Sequence, residues 1–465
     1  MSDSEQNQNV AIIGGGVNGA ALALRLAQQG KEVTVYEKLP EKYFSADLFE
    51  TVDAEGRGHS INASAVADQT TRSLRFMWER LDHPLEAVTD TRDLFLEVQK
   101  QFPDQKFVTG HPSVMLIHPD DSEMLEGMKH QVERVAKTGA KMEVWEGKDA
   151  GDKLRAKYPA LKDYELPEGT IVVHEEGYDA EKNPNGVSAM VNPAAYLRAL
   201  HQLLKKEGVN IQYDSPVEKL AIDDAGKAAI TSGEKEKHFD HAVVTAGGWS
   251  KDILAQVDGL KPLIEETPKR VRWTDVLDES AARDVGTVPF IQPESLTAET
   301  GRPYRTLMPA TVQGEAKGVK LLYSEKKKFK NGANDLAKEP ITAAETAEDR
   351  KNFEEITGIS TSKGGGGQSC MITATPDKMM TAGNVERVDG GKSPISAISA
   401  CSYASFVVGG AAIESVAAQI DGRQSLYRDW DVNHAPNRDI TVSKRAAEER
   451  SLEVEREHSK GRGAA

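Results

Sequence analysis

Short apolar runs separated by polar breaks organise this chain. Residues 10–13 form an apolar run that suits a strand buried on both faces, and residues 33–36 predict a second strand. Between them, residues 20–29 predict a helix, with Gly30 suited to the position just past its end. Apolar Leu74, Met77, Trp78 and Leu81 recur at helix spacing over 71–81, and residues 120–150 are charged and helix-prone. Residues 193–208 predict a helix with proline at its start and glycine after its end, followed by an alternating strand at 209–213. Another buried strand, 243–246, runs directly into Gly247 and Gly248. From 270 to 324 the pattern changes to strands and turns, at 270–274, 305–309 and 318–324. Residues 39–58 and 325–365 are polar; the second stretch has a lysine run at 326–328, expected as a solvated loop or strand end. An alanine- and glycine-rich helix is expected over 406–420, and a highly charged tail over 441–465.

The segment joining the first two strands carries the clearest chemistry. Gly14, Gly16 and Gly19 fill the positions of G-x-G-x-x-G, with Val17 and Asn18 between the last two. The first glycine allows a tight turn, the second lets the backbone approach a pyrophosphate, and the third lets helix and sheet pack closely. The helix that follows aims its N-terminal amides at the phosphate. Glu37 closes the second strand where a carboxylate accepts both ribose hydroxyls, with Lys38 next to it. Strand, turn, helix, strand and acid in this order predict an ADP-ribose site. The carboxylate disfavours the 2'-phosphate of NADP but does not separate FAD from NAD.

Composition narrows the setting. A chain of 465 residues accommodates two or three domains, or one two-lobed body. A net charge of -15 argues against a nucleic-acid surface and against attraction to anionic lipid. The polar N-terminus does not resemble a secretion signal, and no run approaches the roughly twenty apolar residues of a membrane span. The 2 cysteines, Cys370 and Cys401, cannot form a disulfide framework, so a cytoplasmic location is expected. The 11 histidines show no metal-ligand spacing, no metal is expected, and no G-x-S-x-G elbow is present.

Residues 243–250 read Val-Val-Thr-Ala-Gly-Gly-Trp-Ser, residues 369–377 read Ser-Cys-Met-Ile-Thr-Ala-Thr-Pro-Asp, and residues 399–406 read Ser-Ala-Cys-Ser-Tyr-Ala-Ser-Phe. These segments resemble the FAD-dependent oxidoreductases related to D-amino acid oxidase, and within them the monomeric sarcosine oxidase group. The resemblance implies FAD as cofactor, with Ala246, Gly247 and Trp249 close to it and Val217 counted among its contacts. It sets Cys370 at the position of the cysteine that bonds covalently to the flavin 8α-methyl carbon. It also brings Tyr403, Ala404 and Ser405 to the pyrimidine end of the ring. Residues 318–324, Gly-Val-Lys-Leu-Leu-Tyr-Ser, resemble a strand of that group whose lysine lies near flavin N5 and promotes reaction with dioxygen; Lys320 holds that position.

Departures from the group's pattern are also visible. Ala400, Tyr403 and Ser405 replace glycines of the last turn, and Val407 stands where the group has a lysine for the substrate carboxylate. The group's His-His-Gly-Asp-Thr-Arg segment has no clear equivalent; Gly58 to Ser64 takes its place, with His59, Ser60 and Asn62 as candidate flavin or substrate contacts. Arg72 and Arg75 either replace the missing carboxylate anchor or lie on a helix surface.

The expected architecture is an α/β, two-lobed fold: a Rossmann-like FAD-binding domain with an inserted, sheet-rich substrate domain. The first is assembled from 1–95, 185–262 and 370–440, and the second from 96–184 and 263–369. The expected activity is oxidation of a small-molecule amine or amino acid by hydride transfer to flavin N5, with dioxygen as acceptor. The alternative is a 2-hydroxy-acid dehydrogenase that passes electrons to quinone. A third reading is a flavin-bound protein with a decayed pocket that acts through partners.

Overall fold

The first apolar run becomes β1 (Asn9–Ile13), buried from Val10 onward, and the glycine turn leads into α1 (Val17–Gln28) and β2 (Glu32–Tyr36). The computed structural model describes residues 8–44, 72–77, 85–262, 269–276, 289–293, 306–312, 315–328, 342–358, 367–373, 380–399 and 405–424, together with 295–296, 299 and 375. The chain continues through β3 (Arg72–Leu74), α2 (Leu85–Lys100), β4 (Val108–Gly110), β5 (Ser113–Ile117), α3 (Ser122–Thr138) and β6 (Met142–Trp145). It then forms α4 (Ala150–Lys157), β7 (Ile171–Glu175), β8 (Ala189–Val191), α5 (Pro193–Lys206) and β9 (Asn210–Gln212). Next come β10 (Lys219–Ile222), β11 (Ala228–Ser232), β12 (Lys235–Phe239), β13 (His241–Val244) and the short α6 (Ser250–Leu254). The last part holds β14 (Lys269–Val276), β15 (Phe290–Gln292), β16 (Thr306–Val312), β17 (Glu315–Lys328) and α7 (Ala343–Thr357). It closes with β18 (Gly367–Ile372), β19 (Thr381–Asn384), β20 (Ile395–Ser399) and α8 (Ser405–Ile420).

The nucleotide-type sheet has the order β19-β20-β13-β1-β2-β9. All its pairs are parallel except β19 with β20. β1 therefore has β2 on one side, reached through α1, and β13 on the other, reached much later. The strand order reverses there, and ligands of open α/β sheets bind outside the carboxyl ends of strands at such a point. The second lobe is built on a sheet of order β18-β14-β17-β16-β15-β5-β7-β6, in which only β15 and β5 run parallel. Two small sheets, β10-β11-β12 and β3-β8-β4, complete the two-lobed α/β body.

Alternation along the strands of the second lobe divides its core. Met115, Ile117, Ile171 and Val173 join the main cluster with the helices of the first lobe. Val114, Leu116 and Val172 face the opposite side, against Trp145, Leu154, Tyr158 and Phe353. In the first lobe, α1, α5 and α8 bury small and aliphatic side chains. A Cβ at Gly410 of α8 would stand 2.6 Å from the Thr91 Cα, so glycine is what allows α8 and α2 to approach. Among the described residues, no helix is long and apolar enough to cross a membrane.

Several elements differ from the sequence pattern. α1 starts at Val17, earlier than Ala20, because Gly16 takes the N-cap position. The segment read as a helix over 71–81 begins instead as β3, paired with β8 from Arg72↔Val191 to Leu74↔Ala189. A few apolar positions at helix spacing were outweighed there by pairing with a distant strand, and residues 78–84 lie outside the described set. The charged stretch 120–150 is helical only as far as Thr138 and then forms β6. The polar stretch 325–365 contains α7, nucleated by a capping box in which Thr342 and Glu345 bond each other's backbone amides. The expected domain division at 95/96 falls inside α2, and that at 369/370 falls inside β18, a strand of the larger sheet.

Candidate active site

The carboxyl ends of three neighbouring parallel strands, β13, β1 and β2, and one turn build the site. The Gly14 amide donates to the Tyr36 carbonyl, and Gly14 itself has a φ of +107°, a region L side chains rarely adopt. A Cβ on Gly19 would lie 1.9 Å from the Gly14 carbonyl oxygen and 2.5 Å from Thr245 Oγ1. That oxygen is the one to which the Thr245 hydroxyl donates, at 2.8 Å, from the end of β13. The turn is thus clamped between the first helix and the strand after it in the sheet. Gly16 differs: an added Cβ there meets nothing within 4 Å. The N-cap makes no side-chain hydrogen bond and the first turn of α1 holds no acidic residue. An open approach to uncapped helix amides is what a pyrophosphate requires.

Glu37 is 7 % exposed and sits across the turn. Its Oε2 accepts from the Gly15 amide at 2.8 Å and its Oε1 from the Leu39 amide at 2.9 Å. Burial raises the carboxyl above its ordinary range, against the opposing amides of Leu39 and Gly15 and the charge of Lys38. Each carboxylate oxygen accepts more than one hydrogen bond, so the group retains capacity for two ribose hydroxyls. Lys38, lowered by burial, holds its ammonium 3.2 Å from the centre of the Trp249 ring. The structure brings Glu37, Lys38, Trp249, Ala246 and Gly247 to the same end of the sheet as Gly14 and Gly16. Val217 packs beneath them with Tyr36 and Val244, and the Ser215 amide donates to the Glu37 carbonyl. These residues fit a dinucleotide.

Other expected residues lie elsewhere or outside the description. Ser405 is the first residue of α8, and its hydroxyl accepts from Asn18 Nδ2 at 3.4 Å. Tyr403, Ala404 and Cys401, like His59, Ser60 and Asn62, lie outside the described residues. Lys320 is in β17, with Asp275 opposite on one side and Met308 on the other. Cys370 is in β18, opposite Val271. Both therefore belong to the sheet of the second lobe.

Arg72 and Arg75 are not on a helix surface. Arg72 is 9 % and Arg75 5 % exposed, in and just after β3. Arg75 Nε donates to Gln292 Oε1 at 2.9 Å, its Nη1 donates to the Ser73 hydroxyl, and its guanidinium carbon lies 4.3 Å from the Phe290 ring centre. Phe290 packs with Met190, Met308 and Ile372. Met308 is the cross-strand neighbour of Lys320, and Ile372 lies two residues beyond Cys370. One apolar cluster thus connects the arginine with the strands that carry the lysine and the cysteine. Glu175, at the end of β7, accepts from the Phe76 and Met77 amides at 3.0 and 2.9 Å and so holds the segment that follows Arg75. Burial pushes its carboxyl up to about 7, opposed by those two amides and by Arg75.

Sequence reasoning passed over Gly15, His201, Tyr213 and Thr245. The signal for His201 was present: a polar residue on the otherwise apolar stripe of α5.

The match to known families agrees with this geometry. Residues 9–279 match the model described as DAO, FAD dependent oxidoreductase. The chain is similar in structure to an L-proline dehydrogenase from P. horikoshii (TM-score 0.67, 15% identity, 92% of this chain and 97% of that one). It is likewise similar to an iminodiacetate oxidase from a Chelativorans species (TM-score 0.65, 15% identity, 91% and 98%). A glycine oxidase from Bacillus cereus gives a TM-score of 0.62 at 16% identity over 91% and 98%. No curated protein matches the chain in sequence.

Proposed function

The chain belongs to the DAO family of FAD-dependent oxidoreductases, and we propose that within it the protein oxidises an amino acid whose carboxylate is held by Arg75. The observation that carries this reading is the burial of Arg75 over Phe290, where Gln292 of the larger sheet anchors it. A guanidinium offers a planar fork that matches a carboxylate, and low exposure strengthens such a pair. Val407 leaves α8 without a cation at the position where the sarcosine oxidase group has one, and Arg75 supplies the charge from a different element. Proline, iminodiacetate and glycine, named for three similar structures, all carry nitrogen on the carbon next to a carboxylate.

Bound FAD supplies the hydride acceptor for such a substrate, and the protein supplies orientation and electrostatics. Gly16 and the amides of α1 hold the pyrophosphate, Glu37 the ribose, and Lys38 with Trp249 flanks that end of the site. The N-terminus of α8 contributes a positive dipole end where negative charge develops on reduction. Phe290, Met190, Met308 and Ile372 form an apolar wall that excludes water beside Arg75. Water then hydrolyses the released imine to a carbonyl compound and ammonia or an amine. Dioxygen is the acceptor in this reading, taking up two electrons and two protons to leave as hydrogen peroxide, and Lys320 would supply a cation for the negative charge that develops on it. Cys370, in the strand that ends at Ile372, is the covalent attachment point of the cofactor.

The test is anaerobic mixing of the yellow protein with amino acids, their methyl esters and 2-hydroxy acids. Rapid loss of the visible flavin band with an amino acid, and slow loss with its ester, supports the proposal. Bleaching by 2-hydroxy acids alone assigns the protein to the dehydrogenase alternative, and equal rates with acid and ester remove Arg75 from its role.

A further inference from the structure

His201, on α5, packs against the glycine turn and is 1 % exposed. Its Nε2 is 2.8 Å from the Gly15 carbonyl oxygen and its Nδ1 is 2.9 Å from the Tyr213 hydroxyl. A carbonyl only accepts, so Nε2 carries the proton, and Nδ1 must accept from Tyr213. Burial holds the imidazole neutral, with its pKa lowered to about 4 despite the Gly15 carbonyl, and Lys205 acts in the same direction as burial. Phe44 stacks on the ring at 4.1 Å and 17°, which fixes its plane.

Gly15 is therefore held from both sides. Its amide donates to Glu37 Oε2 and its carbonyl accepts from His201. An added Cβ would lie 3.3 Å from Glu37 Cβ, from Glu37 Oε2 and from His201 Cε1, which leaves little room for any residue but glycine. The described chain contains no cis peptide bond. A trans peptide directs its N–H opposite to its carbonyl. With the Gly15 carbonyl fixed on His201, the Gly16 N–H is aimed away from His201.

We infer that His201 is a positioning residue of the dinucleotide site: through the Gly15 carbonyl it sets the Gly15–Gly16 peptide plane, and so orients the Gly16 amide that receives the FAD pyrophosphate. Tyr213 keeps the imidazole in the tautomer this requires. The residue never touches the cofactor. Its contribution is preorganisation, because a glycine-rich turn freed of this bond would have to be ordered at the moment of binding.

The experiment measures FAD affinity of the apoprotein by titration, in a Cys370→Ser background so that the flavin exchanges. His201→Phe keeps the ring and its stack on Phe44 but removes both nitrogens, while His201→Gln restores a donor. His201→Phe should raise the Kd for FAD about tenfold, the worth of one buried hydrogen bond, and His201→Gln should recover most of that loss. The melting temperature of each apoprotein separates the two explanations. Unchanged affinity in His201→Phe, or an equal loss in both variants that follows a drop in apoprotein melting temperature, overturns the proposal. Should His201→Phe fail to fold, Tyr213→Phe carries the test: it should weaken FAD binding about threefold, and wild-type affinity in it overturns the proposal as well.

Discussion

Asn18 and Ser405 are 387 residues apart in the chain, yet the Asn18 amide donates to the Ser405 hydroxyl across 3.4 Å. The bond joins the first turn of α1 to the first residue of α8. Two helices thus begin side by side, and each presents partial positive charge at its N-terminus. A dinucleotide flavin carries negative charge at the pyrophosphate and gains more at the ring on reduction, and charge of that sign is favoured near a helix start.

The glycine turn separates packing from ligand approach. Gly19→Ala forces a Cβ onto the Gly14 carbonyl oxygen, at 1.9 Å, and should destabilise even the apoprotein by about 1–3 kcal/mol. Gly16→Val meets no protein atom at its Cβ, so the apoprotein should melt near the wild type while FAD binding is lost. Thermal melts with and without FAD check both. Normal FAD content in Gly16→Val would remove the pyrophosphate from this turn.

Arg75→Lys keeps the charge and loses the planar fork. The KM for the amino acid should rise about 10- to 100-fold, with kcat reduced far less, from the loss of a charge-assisted bidentate contact. Steady-state kinetics with the best substrate of the panel gives the answer. An unchanged KM places the carboxylate elsewhere.

Cys370 has a one-atom test. Acid precipitation of the wild type should leave the colour in the pellet, and mass spectrometry should find a Cys370 peptide heavier by one FAD. Cys370→Ser should release all its flavin, because a hydroxyl is far less nucleophilic than a thiolate. Replacement of Cys401 should leave the bond intact.

The role proposed for Lys320 belongs to the second half-reaction only. Lys320→Met should slow reoxidation by dioxygen and leave reduction by substrate largely unaffected, as seen in separate stopped-flow measurements. Equal slowing of both gives Lys320 a structural role. A wild type inert to dioxygen but quick with a quinone supports the dehydrogenase alternative.

Glu175 gives a pH prediction. Its folded-state value of about 7 lies above the ordinary 4.5, so its stabilisation is complete below pH 4.5 and is lost as pH rises through 7. The difference corresponds to about 3 kcal/mol. Glu175→Gln does not titrate, so its stability relative to wild type should improve by an amount of that order between pH 4 and pH 8. Contributions from His174 and His201 are common to both proteins and cancel. Parallel denaturation curves at the two pH values would show that Glu175 ionises normally.

The dinucleotide half of the fold was legible because its signals are local. Gly14, Gly16, Gly19 and Glu37 lie within one strand-turn-helix-strand unit, where backbone sterics and a fixed crossover set geometry almost alone. The buried strands at 10–13 and 33–36 were equally readable, since a parallel sheet covered on both faces shows itself as unbroken apolar runs; the one expected at 243–246 runs from His241 to Val244. Only the tertiary structure decided the other half. Arg72 and Arg75 follow a helix-like pattern in sequence, but the β3–β8 pairing turns them inward, and Arg75 is held by Gln292 from a strand of the larger sheet. His201 resembles an ordinary helix residue until folding sets it against Gly15, 186 residues away. A polar side chain in a buried position costs free energy unless a partner meets it, and that partner is supplied by a distant part of the chain. Periodicity records which face of an element is buried; the group that waits on the other side is set by topology.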